Sequence, residues 1–550
     1  MSPVLSSVTA TALALLAIGS TAIPTPIPSP STPAPAPTGS VFPSGFDIVS
    51  SWANLAPWKE VPSFADLPKG VPRGCELSQA HVLHRHAQRY PTSFKLDGGG
   101  IDAFTQKLTN YSRAHNTTEI ASGPLRFLND WVDLLGKDTL LPTGAATEAS
   151  SGARIWSKYG RYLYRAVEEP GVERWNTSLN VWPNGTVRAK PVFRTTGQAR
   201  ILESARWWLS GFFDNEGANS SYAEYDLVVI PEGDGYNNTL GSDHSCENSP
   251  SGGNTDGAHF ITTFTQSAVQ RLSPHLPTDF NLTAFDIASM MVLCPYEYAT
   301  TTQHSSFCTL FTEQEWLDYA YAIDIQFYGV FGPGSPTGRA QGIGYILELA
   351  ARLQGRTPGA KEGVNGNSGG SDTSINATWD SSRDTFPLNQ PLYMDMSHDT
   401  VIVAVLAALG LKWFNYGPGG LPANVEHQVK RNFHLHEVTP FGANIVTEVW
   451  TCPADGKGTS FETDDLASSM YRNPDLSDTA NTKDYLRFVL NGAPVPLDGL
   501  VGCEDAVNGF CGVDGFLSGV GTLKEDAEYQ FACFGEYDLD KQVGDGRPEV

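Results

Sequence analysis

Residues 75–92 read Cys75-Glu-Leu-Ser-Gln-Ala-His-Val-Leu-His-Arg-His-Ala-Gln-Arg-Tyr-Pro-Thr92. The run from Leu77 to His84 is strand-like, and it ends in Arg85, His86 and Arg89 ahead of Pro91. A guanidinium carries a permanent charge on a planar fork that fits phosphate oxygens. An imidazole beside two of them is a nucleophile able to carry a phosphoryl group covalently. Held at one strand end, these side chains describe a phosphate pocket with an attacking atom at its floor.

A second stretch far downstream follows the same logic. Pro391–Met396 predicts a strand, Ser397-His398-Asp399 ends it, and Thr400–Leu409 predicts an apolar helix stopped by Gly410. That order puts His398 and Asp399 at a strand's C-terminal end, where His86 also falls. In open α/β sheets this edge binds ligands. Two distant stretches thus predict one rim of one sheet.

Further strands are expected at 191–196, 225–230, 442–450 and 485–490, where β-branched and apolar residues cluster. Helical patterning covers 103–111, 124–135, 150–169, 198–212, 267–272, 284–293, 313–330 and 340–353. Residues 357–382, rich in Gly, Asn, Ser and Asp, read as a long exposed loop. Residues 23–45 form a Pro/Ser/Thr-rich leader.

With 550 residues, 40% of them hydrophobic, the chain can bury a sizeable core. Its formal charge of -24 disfavours nucleic acid as a partner, since one polyanion repels another. Val8 to Ile18 is apolar but too short to span a bilayer, and Ser20-Thr21-Ala22 supplies small residues for cleavage, so 1–22 is expected to be a secretory signal. No other run is long and apolar enough to predict a membrane anchor. Sequons start at Asn110, Asn116, Asn176, Asn184, Asn219, Asn237, Asn281 and Asn376. The even set Cys75, Cys246, Cys294, Cys308, Cys452, Cys503, Cys511 and Cys533 suggests four disulfides in an exported chain. None forms a C-x-x-C pair, which argues against a zinc knuckle. Spacing leaves the connectivity open, with Cys294–Cys308 and Cys503–Cys511 the easiest local pairs.

The first stretch resembles the R-H-G-x-R-x-P signature of the histidine acid phosphatase superfamily, in the branch holding secreted acid phosphatases and fungal phytases. The later His-Asp pair of that branch stands here as His398-Asp399. The resemblance covers most of the chain after about residue 70. It implies a central mixed sheet flanked by helices, phosphoglycerate-mutase-like, with an inserted, mainly helical lobe. The α/β core is expected from about 46–100, 185–235 and 385–550, and the lobe from about 101–184 and 255–384, within one catalytic unit over 46–550. It also implies the pairs Cys75–Cys452 and Cys246–Cys533. His86 becomes the nucleophile, Asp399 the proton donor, and Arg85, Arg89, Arg194 and His398 the phosphate binders, with no cofactor and no metal. Ala87 stands where the family has Gly; were a positive φ needed there, the methyl would strain the turn and weaken catalysis.

Gly334–Gly344 and Tyr485–Leu497 are similar to the corresponding stretches of fungal phytases. Lysines that some phytases carry after the first motif are replaced here by Ser93–Asp102, with one Lys and two Asp, and a lysine pair by Ile325-Gln326. A secreted, extracellular acid phosphatase acting on small phosphomonoesters is therefore expected, with a phytase as the alternative. Two rivals stay open. His84 and His86 share a strand face, H-x-H recurs at His434 and His436, and Asp395 and Asp399 could complete the site of a metal-dependent hydrolase. A catalytically inactive phosphate-binding relative is the other.

Overall fold

The computed structural model describes residues 42–549 apart from 43, 73, 165–173, 183, 215–222, 249, 359–362, 365–371, 455–462 and 465–480. The expected signal, nearly all of the leader and the sequon at Asn219 lie outside the described residues.

The first long strand, β1 (Glu76–Arg85), leads into helices α1 (Ile101–His115) and α2 (Pro142–Ile155). Next come β2 (Val192–Thr196), α3 (Ala199–Phe212) and β3 (Asp226–Ile230). A helical stretch follows: α4 (Gly252–Phe264), α5 (Ala284–Thr301), α6 (Glu313–Val330) and α7 (Gly338–Leu353). The chain returns as β4 (Leu392–Ser397), α8 (Asp399–Ala408), β5 (Asn444–Pro453), β6 (Thr482–Leu490), β7 (Ala493–Pro494), β8 (Cys511–Gly512) and α9 (Val513–Asp526).

The sheet runs β7-β6-β5-β1-β4-β2-β3, with β8 also on β6. β1, β4, β2 and β3 are mutually parallel, while β5 and β6 are antiparallel to their neighbours. This is the mixed sheet flanked by helices that the resemblance implies. Strand side chains alternate between faces. Val82 accordingly joins a core with Trp208 and Phe212 of α3, and Leu83 one with residues of α4–α8.

Several elements depart from expectation. Residues 124–135 hold only a 3-10 turn, Gly123–Asn129, because Pro and Gly stand at its start. α2 begins well before residue 150, with Pro142 in its first turn, where a missing N–H costs nothing. α4 was hidden by its two leading glycines. A Cβ on Gly253 would meet the carbonyl oxygen of Gln326 at 2.6 Å, so glycine is what lets α4 pack on α6. The end of the expected exposed loop is interior, with Asn376 and Asp380 buried.

All four disulfides form: Cys75–Cys452, Cys246–Cys533, Cys294–Cys308 and Cys503–Cys511. Among the sequons, Asn110, Asn116, Asn176, Asn184 and Asn281 are exposed. Asn237 and Asn376 are buried and spent on backbone: Asn237 Nδ2 donates to the carbonyls of Thr373 and Ile375, and Asn376 Nδ2 to that of Asn237. A glycan on either is incompatible with this packing, which corrects the expectation for both.

Cys75–Cys452 ties the start of β1 to β5, beside the paired residues Glu76 and Thr451. Replacing both cysteines with serine is expected to lower unfolding stability by about 2–5 kcal/mol, read as a fall in the urea midpoint.

Candidate active site

Register decides the position of the site. Arg85 pairs with Ser397, so His86 and His398 both follow immediately beyond paired residues of parallel strands. Their rings stand edge to face, with centroids 6.1 Å apart. His86 is buried, and its Nδ1 lies 2.9 Å from the Ala87 carbonyl. That contact assigns the proton to Nδ1 and leaves the lone pair on Nε2. Ala87 is not among the residues with positive φ, so its methyl meets no backbone strain there. The feared consequence of replacing glycine does not arise from φ.

Three guanidiniums surround this ring. Arg85 Nη1 donates to the carbonyls of Asn54 and Thr439, its Nη2 is 2.7 Å from Asp399 Oδ2, and its fork lies over Phe441. Arg89 Nη1 donates to Tyr296 Oη at 2.8 Å and Nη2 pairs with Asp97. Arg200, in the first turn of α3, lines the same cleft as Arg89, His398 and Asp399. The Nε–H groups of Arg89 and Arg200 are buried without a hydrogen-bond partner among the described residues. Burial and then Arg89 pull the Arg200 guanidinium down to about 10, so it stays charged in acid. Buried cations with donors to spare mark an anion site.

The same charges act on the titrating groups. Burial, then Arg85, Arg200, Arg89 and His398, hold the His86 imidazole well below its ordinary value. It therefore remains neutral and nucleophilic in mild acid. Burial pushes the Asp399 carboxyl up, but Arg85, Arg89 and the Asn54 amide at 3.1 Å outweigh it, and the group sits below its usual range. Asp399 Oδ1 also accepts the Thr400 N–H at 3.1 Å in the first turn of α8.

Arg194 is not in the site, which corrects the expectation. It lies mid-strand opposite Asp395, short of the strand ends, and is fully buried. Its Nε is 2.6 Å from Asp395, Nη1 is 3.0 Å from Asp380, and Nη2 pairs with Glu348. Arg352 adds a second cation, 2.6 Å from Asp395. Burial, reinforced by Glu348, pushes Asp380 well up, and a protonated Asp380 leaves two cations facing two carboxylates. Arg194 holds the sheet to α7; Arg200, six positions on, lines the cleft that Arg194 does not reach.

The metal-site reading loses its ligands. His84 is spent on Ser151 Oγ at 2.8 Å and the Arg85 carbonyl at 2.7 Å. Asp395 is held by two arginines, and His434 Nε2 sits 3.0 Å from the Arg431 carbonyl, with His436 as its ring neighbour. Among the described residues no three His, Cys, Asp or Glu side chains cluster as metal ligands would.

Two further residues went unread in the sequence. Glu232, two positions beyond β3, places Oε2 3.0 Å from His398 Nε2. His244 Nε2 approaches the other oxygen of Glu232 at 3.4 Å. Both line a cleft of about 820 Å³ that opens from the hollow, along with Asp138, Asp243, Gln326 and Phe327. No lysine lines it among the described residues.

Residues 76–491 match the family model of the histidine phosphatase superfamily (branch 2). The chain belongs to that superfamily. A phosphoric monoester hydrolase of the histidine acid phosphatase kind is the enzyme class this membership gives. Phytase A of Aspergillus oryzae is 29% identical, over 88% of this chain and 90% of its own. Phytase A of Aspergillus terreus is 30% identical, over 74% of this chain and 80% of its own. Among solved structures, the phytase from D. castellii shares the fold at a TM-score of 0.64 and 18% identity, covering 92% of this chain and 93% of its own.

Exchanging the two arginines separates their parts. Arg194→Ala leaves buried carboxylates unpaired and is expected to cost about 3–5 kcal/mol of stability, read as a lowered Tm. Arg200→Ala should keep Tm near that of the parent and raise KM for an aryl phosphate at least tenfold, the scale of one lost charge-assisted hydrogen bond, roughly 1.5–3 kcal/mol.

Proposed function

We propose that the protein is an exported acid phosphatase of the phytase type, removing phosphate from inositol polyphosphates and other phosphomonoesters through a phosphohistidine on His86. The observation that carries this reading is the convergence of Arg85, Arg89, Arg200 and His398 on one buried, neutral imidazole. The inositol phosphate assignment is supported by relatives named Phytase A that align over nearly their whole length. It replaces the general acid phosphatase expected from the sequence as the first reading.

In the proposed reaction, His86 Nε2 attacks phosphorus while Asp399 protonates the departing ester oxygen. The phosphorus–oxygen bond to the alcohol breaks as the phosphorus–nitrogen bond forms. Water then attacks the phosphohistidine, its proton passes to the Asp399 carboxylate, and His86 leaves with its lone pair restored. The guanidiniums neutralise charge on the non-bridging oxygens throughout, which is where most of the barrier to phosphoryl transfer lies. Because Asp399 must be protonated to donate, the first step slows as pH rises above its depressed value. His86, also depressed, loses little as pH falls through the ordinary imidazole range near 6.5. The combination sets an acid optimum.

Export is part of the proposal. Four disulfides form and five sequons are exposed, which suits an oxidising compartment. No helix among the described residues is long and apolar enough to cross a membrane. A second reading, a broad phosphomonoesterase, is favoured by the cleft itself: beyond the hollow its charged side chains include Asp138 and Asp243 and, among the described residues, no lysine. Those carboxylates repel the outer phosphates of a crowded polyanion.

Two measurements test the function. Asp399→Asn should reduce kcat on an alkyl phosphate by roughly 10²–10⁴ and much less on a nitrophenyl ester, whose leaving group needs no proton. Equal losses on both would remove the proton-donor role. The ratio of kcat/KM on phytate to that on the aryl ester, measured in chelator, decides the substrate: a ratio of one or more supports the phytase type, and phytate inert beside a turned-over aryl ester gives the broad phosphatase.

A further inference from the structure

His398 reaches the site from the end of β4, yet its orientation is set from the neighbouring strands. Glu232 Oε2 is 3.0 Å from His398 Nε2, and both side chains are nearly buried, at 5% and 10% exposure. The same oxygen accepts the hydroxyl of Thr196, the last residue of β2, at 2.5 Å. Asn238 Nδ2 fixes that hydroxyl in turn, at 3.0 Å, and ties down the Pro231 carbonyl at 3.1 Å. On the other side, His244 Nε2 lies 3.4 Å from Glu232 Oε1, and its Nδ1 lies 2.9 Å from Asp234. Glu232 thus has one oxygen on each of two histidines.

We propose that Glu232 is a positioning residue for His398, and that His244 braces Glu232 from the cleft side. With its Nε2–H accepted by the carboxylate, the imidazolium form of His398 has Nδ1–H left to donate to a phosphate oxygen. The carboxylate also fixes the ring edge-on to His86, where a single shared phosphate meets both rings. A free carboxylate this close to a phosphate site would repel the substrate. Its placement is intelligible because two imidazoles and a hydroxyl consume both oxygens. Burial works against ionisation of Glu232, but His398, His244 and Thr196 outweigh it and hold the carboxyl far below its usual range. His244 is raised to about 9 by the hydrogen bond to Glu232 and by the acidic groups beside it, so it is a cation wherever an acid phosphatase works. His244 is half-exposed at the cleft wall, which makes it the accessible end of the arrangement.

The inference rests on the phosphohistidine reading, and the experiment tells the two apart. Binding of inorganic phosphate is measured by calorimetry, so an inactive variant is still read. The variants are Glu232→Gln, His398→Ala and the double variant, with His244→Gln as a substitution on a half-exposed residue that leaves the interior intact. Glu232→Gln is expected to weaken phosphate binding about tenfold, the scale of one misdirected charge-assisted hydrogen bond. It should raise KM for the aryl ester more than it lowers kcat, and His244→Gln should shift KM the same way by less. In the His398→Ala background, Glu232→Gln should cost less than about twofold, because a positioning residue has nothing left to position. Equal losses in both backgrounds would overturn the inference. The function reading fails separately, if His86→Ala retains turnover.

Discussion

Parallel pairing of β1 with β4, in the register that sets Arg85 against Ser397, is the constraint on which the site depends. It ends two strands from opposite ends of the sequence at one level, so that their next residues, His86 and His398, face a common hollow. β2 and β3 lie alongside in parallel and end at the same edge, contributing Arg200 and Glu232 from the segments that follow them. A slip of one residue would turn each of these side chains to the opposite face. Several devices hold the register: the disulfide at the start of β1, the antiparallel β5 on its other side, and the Arg194–Asp395 pair between β2 and β4.

From that placement the acid chemistry follows. Burying three guanidiniums around an imidazole makes protonation of the imidazole costly, which keeps a nucleophile available where free histidine would be charged. The same cations depress Asp399, which narrows the working range of the proposed proton donor to acid. In the proposed reaction one set of charges therefore binds the phosphate, preserves the nucleophile and fixes the pH window. The arginines around Arg194 and those at the cleft differ in their surroundings. Arg194 spends all three of its nitrogens on carboxylates in the interior of the sheet, whereas Arg89 and Arg200 line an open cleft and each keeps a buried Nε–H with no protein partner among the described residues. Access to the cleft, rather than the presence of buried arginine, separates the two.

Legibility in the sequence followed how local each signal was. The strand ending in Arg85-His86 and the strand–turn–helix around His398-Asp399 were readable because hydrophobic runs and their stops lie within a few residues. The local disulfides were readable for the same reason, and the distant pairs Cys75–Cys452 and Cys246–Cys533 only through the family resemblance. The third cation was expected at Arg194 because it stands in the strand signal, whereas Arg200 lies six residues on in the following helix. What separates them is depth: a side chain in mid-strand cannot reach the strand's end, while one in the first turn of the next helix can. Glu232 and His244 carry no motif, and their importance exists only where β2, β3 and β4 meet. The glycines of α4 gave no helical signal in the sequence because their purpose is the approach of α6, a residue pattern far away in sequence.

The central claim is that these converging groups serve a covalent transfer to one nitrogen. Rapid mixing with a phosphomonoester, quenching in alkali and mapping the phosphoryl group by mass spectrometry tests it directly, since a phosphoramidate survives base and falls apart in acid. The account predicts a transient adduct on the peptide holding His86, formed at the rate of alcohol release and absent from His86→Ala. Turnover with no adduct, or with the phosphoryl group on another residue, would contradict it.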